Sequence, residues 1–384
     1  MNPLFATLPT TIFEIMSGLS RDLGAINLGQ GFPDFGWPED MLDAAAQAIC
    51  HGSNQYPPMT GTLELRLAVA EYYHRTQGLD LSPNQVTITS GATEALAASI
   101  LGLVIPGDEV VLFEPAYDAY LPLVRQAGGI PRIVRLEPPH WRITEEALAA
   151  AFSPRTRIVI FNNPLNPTGT VHEDAELALL ASYCVRHDAV AICDEVWEQL
   201  RFDGKPHVPL MAMPDMAERT IKIGSAGKIF SLTGWKVGWT IASPVLAGAI
   251  AKTHQFLTFT TPPGLQAGVA YGLGKDDSYF DQSRNGFARA RSRMGEGLAS
   301  AGYHVLPGGG TYFIAVDLKA SGISADDMTF CQRAVRECGL AAIPISCFFS
   351  ARPVNHVIRL CFAKTDAVID SGLERLAHAR RLDW

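Results

Sequence analysis

The chain has 384 residues, 47% hydrophobic and 18% charged, which excludes a disordered or fibrous protein and predicts about two to three domains, or one large α/β unit with an appendage. A net charge of −8 without any basic tract argues against nucleic acid or an anionic membrane surface as a partner. Residues 1–11 lack the pattern of a signal peptide, no stretch reaches the length of a membrane-spanning helix, and a cytoplasmic protein is expected.

Short β-branched runs at residues 86–89, 110–113, 157–161, 189–193 and 220–223 alternate with amphipathic or Ala-rich segments. That alternation predicts a mostly parallel sheet flanked by helices. The run 237–242 follows too closely for a crossover helix and is expected to pair antiparallel at the same sheet. Beyond about residue 250 the pattern changes to a long helix over 281–301, short strands at 312–316 and 356–361, and a final helix from Asp366, together a smaller α+β domain. The expected division is an N-terminal segment 1–40 packing with the small domain, a large domain 41–272 and a small C-terminal domain 273–384. Seven cysteines (50, 184, 193, 331, 338, 347, 361) form no C-x-x-C pair and are expected to be buried thiols. Ten histidines lack H-x-x-x-H spacing, so no metal is expected.

In open parallel sheets ligands bind beyond the carboxyl ends of the strands, so residues that follow separate strands converge. Gly91, Ala92 and Thr93 open a helix after the first run, and free N–H groups there suit a phosphate, although an ordinary N-cap turn reads the same way. Ser225 and Lys236 offer a hydroxyl and a cation to that phosphate. Tyr117 can stack on an aromatic ring. Asn166, in an Asn-Pro-Thr-Gly stretch that is also ordinary turn chemistry, can donate to a phenolic oxygen. Asp194 can pair with a pyridinium nitrogen, the alternative being a surface Asp-Glu pair with Glu195. Lys228 lies in a Gly- and Ser-rich turn after a strand, where a lysine can form a Schiff base if a neighbour such as Lys236 lowers its pKa.

These motifs, with Asn27-Leu28-Gly29-Gln30-Gly31-Phe32-Pro33, Asn54-Gln55-Tyr56, Gly310-Thr311-Tyr312-Phe313 and Ile358-Arg359-Leu360, span nearly the whole chain. The sequence resembles the class I/II aminotransferases, fold type I pyridoxal phosphate enzymes, and within them the kynurenine, glutamine and methionine branch. The resemblance implies pyridoxal 5'-phosphate held by Lys228, with Asp194 at the ring nitrogen, Asn166 at the phenolic oxygen and Tyr117 on the ring face. Gly91, Ala92, Thr93, Ser225 and Lys236 would cradle the phosphate, reached by Tyr56 from the other subunit of a homodimer with composite sites. Arg359 and the Gly31 backbone would take the substrate carboxylate, with Asn166 beside them and Phe259 contributed across the interface.

One departure concerns the cofactor. Trp197 stands where the family usually has tyrosine, and it can donate one hydrogen bond but cannot accept one or ionise. Phe13, Tyr117, Trp197, Phe259 and Phe348 are expected to line the side-chain pocket. The implied reaction is transamination between an L-amino acid with a large uncharged side chain (methionine, glutamine, aromatic or kynurenine) and a 2-oxo acid. The alternatives are a cysteine-S-conjugate β-lyase and a succinyl-diaminopimelate aminotransferase.

Overall fold

A computed structural model describes residues 2–384. The first strand, β1 (Ile26–Asn27), is followed by seven that form one sheet: β2 (Val86–Thr89), β3 (Glu109–Glu114), β4 (Ile130–Arg135), β5 (Thr156–Asn162), β6 (Val190–Asp194), β7 (Thr220–Ser225) and β8 (Gly238–Ile241). Their order is β2-β8-β7-β6-β5-β3-β4. β3 to β7 pair in parallel, while β8 runs antiparallel to both β7 and β2. The short link before β8 produces this, because it leaves no length for a crossover. β2, β3, β5, β6 and β7 therefore all end at the same edge.

Both faces of the sheet are covered, which is why its strands read as continuous apolar runs. Val110, Leu112, Ile158, Ile160 and Ile192 point into one core; Val111, Phe113, Val159, Phe161 and Cys193 point into another. The expected strands are present with ends moved by a residue or so. β4 is absent from the sequence reading. It is one of the two edge strands, carries Pro131, and buries only Val134, so neither alternation nor an apolar run marks it.

The remaining strands are β9 (His304–Val305), β10 (Phe313–Asp317), β11 (Leu340–Ala341), β12 (Ile343–Pro344) and β13 (Val357–Cys361). β12-β13-β10-β9 form an antiparallel sheet, and β1 pairs with β11. The helix Asp277–Ser300 and the final helix Asp366–Ala379 pack on one another beside it. Not all cysteines are buried as expected: Cys50 and Cys347 are exposed, and all seven are free thiols. No described helix is long and apolar enough to cross a membrane.

Candidate active site

The connections leaving the carboxyl edge of the large sheet surround a cavity of about 240 Å³. Gly91, Ala92, Thr93, Tyr117, Asn166, Asp194, Trp197, Ser225, Lys228 and Lys236 all line it. Gly91 has φ +73°, and a Cβ there would sit 3.4 Å from Lys236 Nζ, so glycine lets the lysine approach the start of the helix Gly91–Leu103. Lys236 is itself in the left-handed region at φ 55°. No side chain caps this helix, leaving N–H groups that face the cavity to serve an anion.

Asp194 ends β6 and is 6% exposed, so it is no surface pair with Glu195. Its Oδ2 accepts from the Tyr120 hydroxyl at 2.6 Å, and its Oδ1 has no partner. Burial pushes its carboxyl up from the ordinary range, with the Tyr120 bond opposing. A buried carboxylate oxygen without a donor fits the protonated nitrogen of a pyridine ring. Glu195 turns the opposite way. It meets Lys222, which also binds Glu198 at 2.7 Å, while His207 lies 3.2 Å from Glu195. Glu195, Glu198 and His207 bring potential ligand atoms within 4.8 Å of one another, and the Lys222 ammonium supplies the cation among them.

Lys228 Nζ donates to the Tyr312 hydroxyl oxygen at 3.1 Å and lies 4.6 Å from the centre of the Trp197 ring. Its pKa is lowered to about 8. Burial is the chief cause, followed among the lowering influences by Arg359 and then Lys236, so the sequence-based emphasis on Lys236 is corrected. Trp197 packs edge-on against Tyr312 at 4.4 Å between ring centres.

Arg359, on β13, is 1% exposed. It donates from Nη1 to Asn166 Oδ1 and from Nη2 to the Gly29 carbonyl, each at 2.8 Å, while Nε has no partner. The rings of Phe313, Phe13 and Phe348 lie 3.9, 5.2 and 5.5 Å from its guanidinium carbon, and burial lowers its pKa to about 10. Gly31 lies close by: a Cβ there would come within 2.7 Å of the Phe313 ring, so a larger residue would have to displace that ring. Tyr56 and Phe259 lie outside the cavity of their own chain. They are 82% and 39% exposed and meet edge to face at 5.4 Å.

Tyr120, Asn162 and Tyr312 are site residues missing from the sequence reading. Tyr120 follows Tyr117 by three residues, a spacing that could have flagged it. Asn162 holds the Asp194 carbonyl at 2.7 Å. Tyr312 lies immediately before β10, in the smaller part of the chain, and nothing in its spacing places it at Lys228.

Residues 24–376 match the family model for aminotransferase class I and II. The chain belongs to this family. It is therefore a pyridoxal phosphate-dependent transferase, and the orphan oxygen of Asp194 and the open helix start fit that cofactor. The solved N-succinyldiaminopimelate aminotransferase of Mycobacterium tuberculosis is 42% identical and superposes with a TM-score of 0.95 over 99% of this chain and 100% of that one. The methionine aminotransferase of Escherichia coli is 40% identical over 96% of each chain. Kynurenine–oxoglutarate transaminase 1 of Rattus norvegicus is 35% identical over 95% of this aminotransferase and 94% of the relative.

Proposed function

We propose that this aminotransferase exchanges the amino group of L-amino acids with large uncharged side chains, such as methionine, glutamine, aromatic residues or kynurenine, with a 2-oxo acid. The observation that carries the reading is the aromatic wall around Arg359, because Phe13, Phe313 and Phe348 offer apolar contact beside the guanidinium that would take the carboxylate.

Pyridoxal phosphate, when bound, supplies the electron sink for charge that develops at the substrate Cα. Arg359 orients the substrate by its carboxylate, a bidentate geometry that arginine suits and lysine does not. Lys228, neutral at mildly alkaline pH, takes the proton from Cα and returns it. Asp194, Asn166 and Tyr117 line the cavity, where Asp194 would keep the ring nitrogen protonated, Asn166 would meet the phenolic oxygen and Tyr117 would cover the ring. Gly91, Ala92, Thr93, Ser225 and Lys236 would hold the phosphate.

The active unit is a homodimer in which Tyr56 and Phe259 complete the neighbouring site; their joint exposure supports this. The pairing of β1 with β11 supports a segment 1–40 that belongs with the small domain 273–384, apart from the large domain 41–272. Seven free cysteines suit the cytoplasm.

A second reading is N-succinyldiaminopimelate as donor, favoured by the 42% identity to the mycobacterial enzyme. The test is spectroscopic: methionine, glutamine, kynurenine, N-succinyldiaminopimelate and aspartate are added separately to the holoenzyme, followed by a 2-oxo acid. Bleaching of the cofactor band by the uncharged donors, restored by the oxo acid, supports the proposal. A response confined to N-succinyldiaminopimelate selects the second reading, and pyruvate release from cysteine S-conjugates alone selects β-elimination.

A further inference from the structure

The Tyr312 hydroxyl lies between two groups that belong to different parts of the site. It donates to the Gly31 carbonyl and accepts from Lys228 Nζ at 3.1 Å. A phenol has one proton. With that proton on the Gly31 side, its oxygen meets the lysine only as an acceptor, takes one N–H, and leaves the nitrogen lone pair free. The ring cannot swing away: it is 1% exposed and wedged against Trp197 at 4.4 Å and Phe313 at 4.9 Å. Burial holds the phenol well above its ordinary range, so it keeps its proton.

We propose that Tyr312 directs the lone pair of Lys228, and that it does so only while the Gly31 carbonyl engages its proton. The Gly31 carbonyl is one of several along its segment held by side chains of the small domain. Arg359 binds the carbonyl of Gly29, Tyr312 that of Gly31, and Lys364 that of Phe32 at 3.0 Å. When the segment moves off, the Tyr312 proton turns from the Gly31 oxygen to the Lys228 nitrogen and occupies its lone pair. No proton is lost; it changes acceptor. The amine is then a poorer base. One hydroxyl thus couples the segment beside the carboxylate-binding arginine to the basicity of the lysine.

The inference rests on the role proposed for Lys228, and the experiment separates the two. Tyr312→Phe and Tyr312→fluorotyrosine are compared with wild type in the full chain. The first reading is the pH midpoint for acylation of Lys228 in the cofactor-free protein, followed by mass spectrometry. The second is kcat and KM for methionine with a 2-oxo acid. Removing an acceptor from the ammonium disfavours the charged form, so the midpoint falls in Tyr312→Phe. At the same time kcat falls roughly ten- to a hundredfold, with much less change in KM. Fluorotyrosine keeps the hydroxyl and the shape but accepts more weakly, and gives intermediate values. An unchanged midpoint in Tyr312→Phe overturns the inference, even if kcat and KM both move, because the residue then acts on the segment alone. Should the wild type respond to none of the donors, the functional proposal fails, while the acylation midpoints still decide whether Tyr312 governs Lys228.

Discussion

Arg359 Nη1 donates to Asn166 Oδ1 at 2.8 Å. A guanidinium has no acceptor, so the amide oxygen must face it, and the Asn166 NH₂ is left for the cavity that Asn166 lines. The residue proposed for the substrate carboxylate therefore orients the residue proposed for the cofactor's phenolic oxygen. Arg359→Lys breaks this bond as well as the bidentate geometry. It is expected to lower kcat/KM by roughly ten- to a hundredfold, the equivalent of about 1.5–3 kcal/mol. Steady-state kinetics with methionine checks it, and a variant within twofold of wild type removes Arg359 from the carboxylate site.

Lys228 has its pKa lowered to about 8, chiefly by burial. The neutral amine therefore prevails above that pH, and acylation of Lys228 in the cofactor-free protein should rise through a midpoint near pH 8, well below that of surface lysines. Lys228→Ala should still bind the cofactor, without the covalent link, and lose turnover. Near wild-type transamination by that variant would falsify the assignment.

Trp197 lies 4.6 Å from Lys228 Nζ at its ring centre, where a tyrosine would bring a hydroxyl to the cavity. Trp197→Tyr is expected to lower the pH midpoint of the holoenzyme absorption band, since an added O–H donor favours the charged phenolic oxygen. A pH titration of the visible spectrum reads this directly. No change in midpoint takes Trp197 out of the cofactor's surroundings.

Lys222 is fully buried between Glu195 and Glu198. Lys222→Met leaves two buried carboxylates without their cation and should destabilise the protein by about 3–5 kcal/mol, measured by urea unfolding. Burial raises the pKa of Glu195, but Lys222 and His207 outweigh it and hold it at about 2. A depressed folded value means that the stabilisation is present above the unfolded carboxylate pKa of roughly 4.3 and is lost as pH falls toward 2. Wild type should weaken over that window more steeply than the variant does.

Tyr56 and Phe259 form an exposed pair outside the cavity of their own chain. If the partner completes each site, inactive Tyr56→Ala and Lys228→Ala chains mixed under exchange should recover roughly a quarter of wild-type activity, because half the dimers are hybrids with one intact site. Failure to recover activity in hybrids shown to have formed would count against the composite site.

The alternation of runs around 110, 157, 189 and 220 made the parallel sheet legible, since strands buried on both faces have to be apolar along their length. The strand-end rule then brought together Gly91, Tyr117, Asn166, Asp194 and Lys228, because a parallel sheet puts all those ends on one edge. Arg359 was singled out by the family resemblance alone.

Pairings between distant segments were not legible. Tyr312 reaches Lys228 across 84 positions and Gly31 across 281, and Arg359 reaches Asn166 across 193. The inward turn of Glu195 toward Lys222, the dominance of burial in the Lys228 pKa, and the edge strand β4 are of the same kind. Periodicity and turn residues determined which elements form and which edge gathers the chemistry. Hydrogen-bond partners and desolvation depend on which side chains meet, and only the tertiary structure decided that.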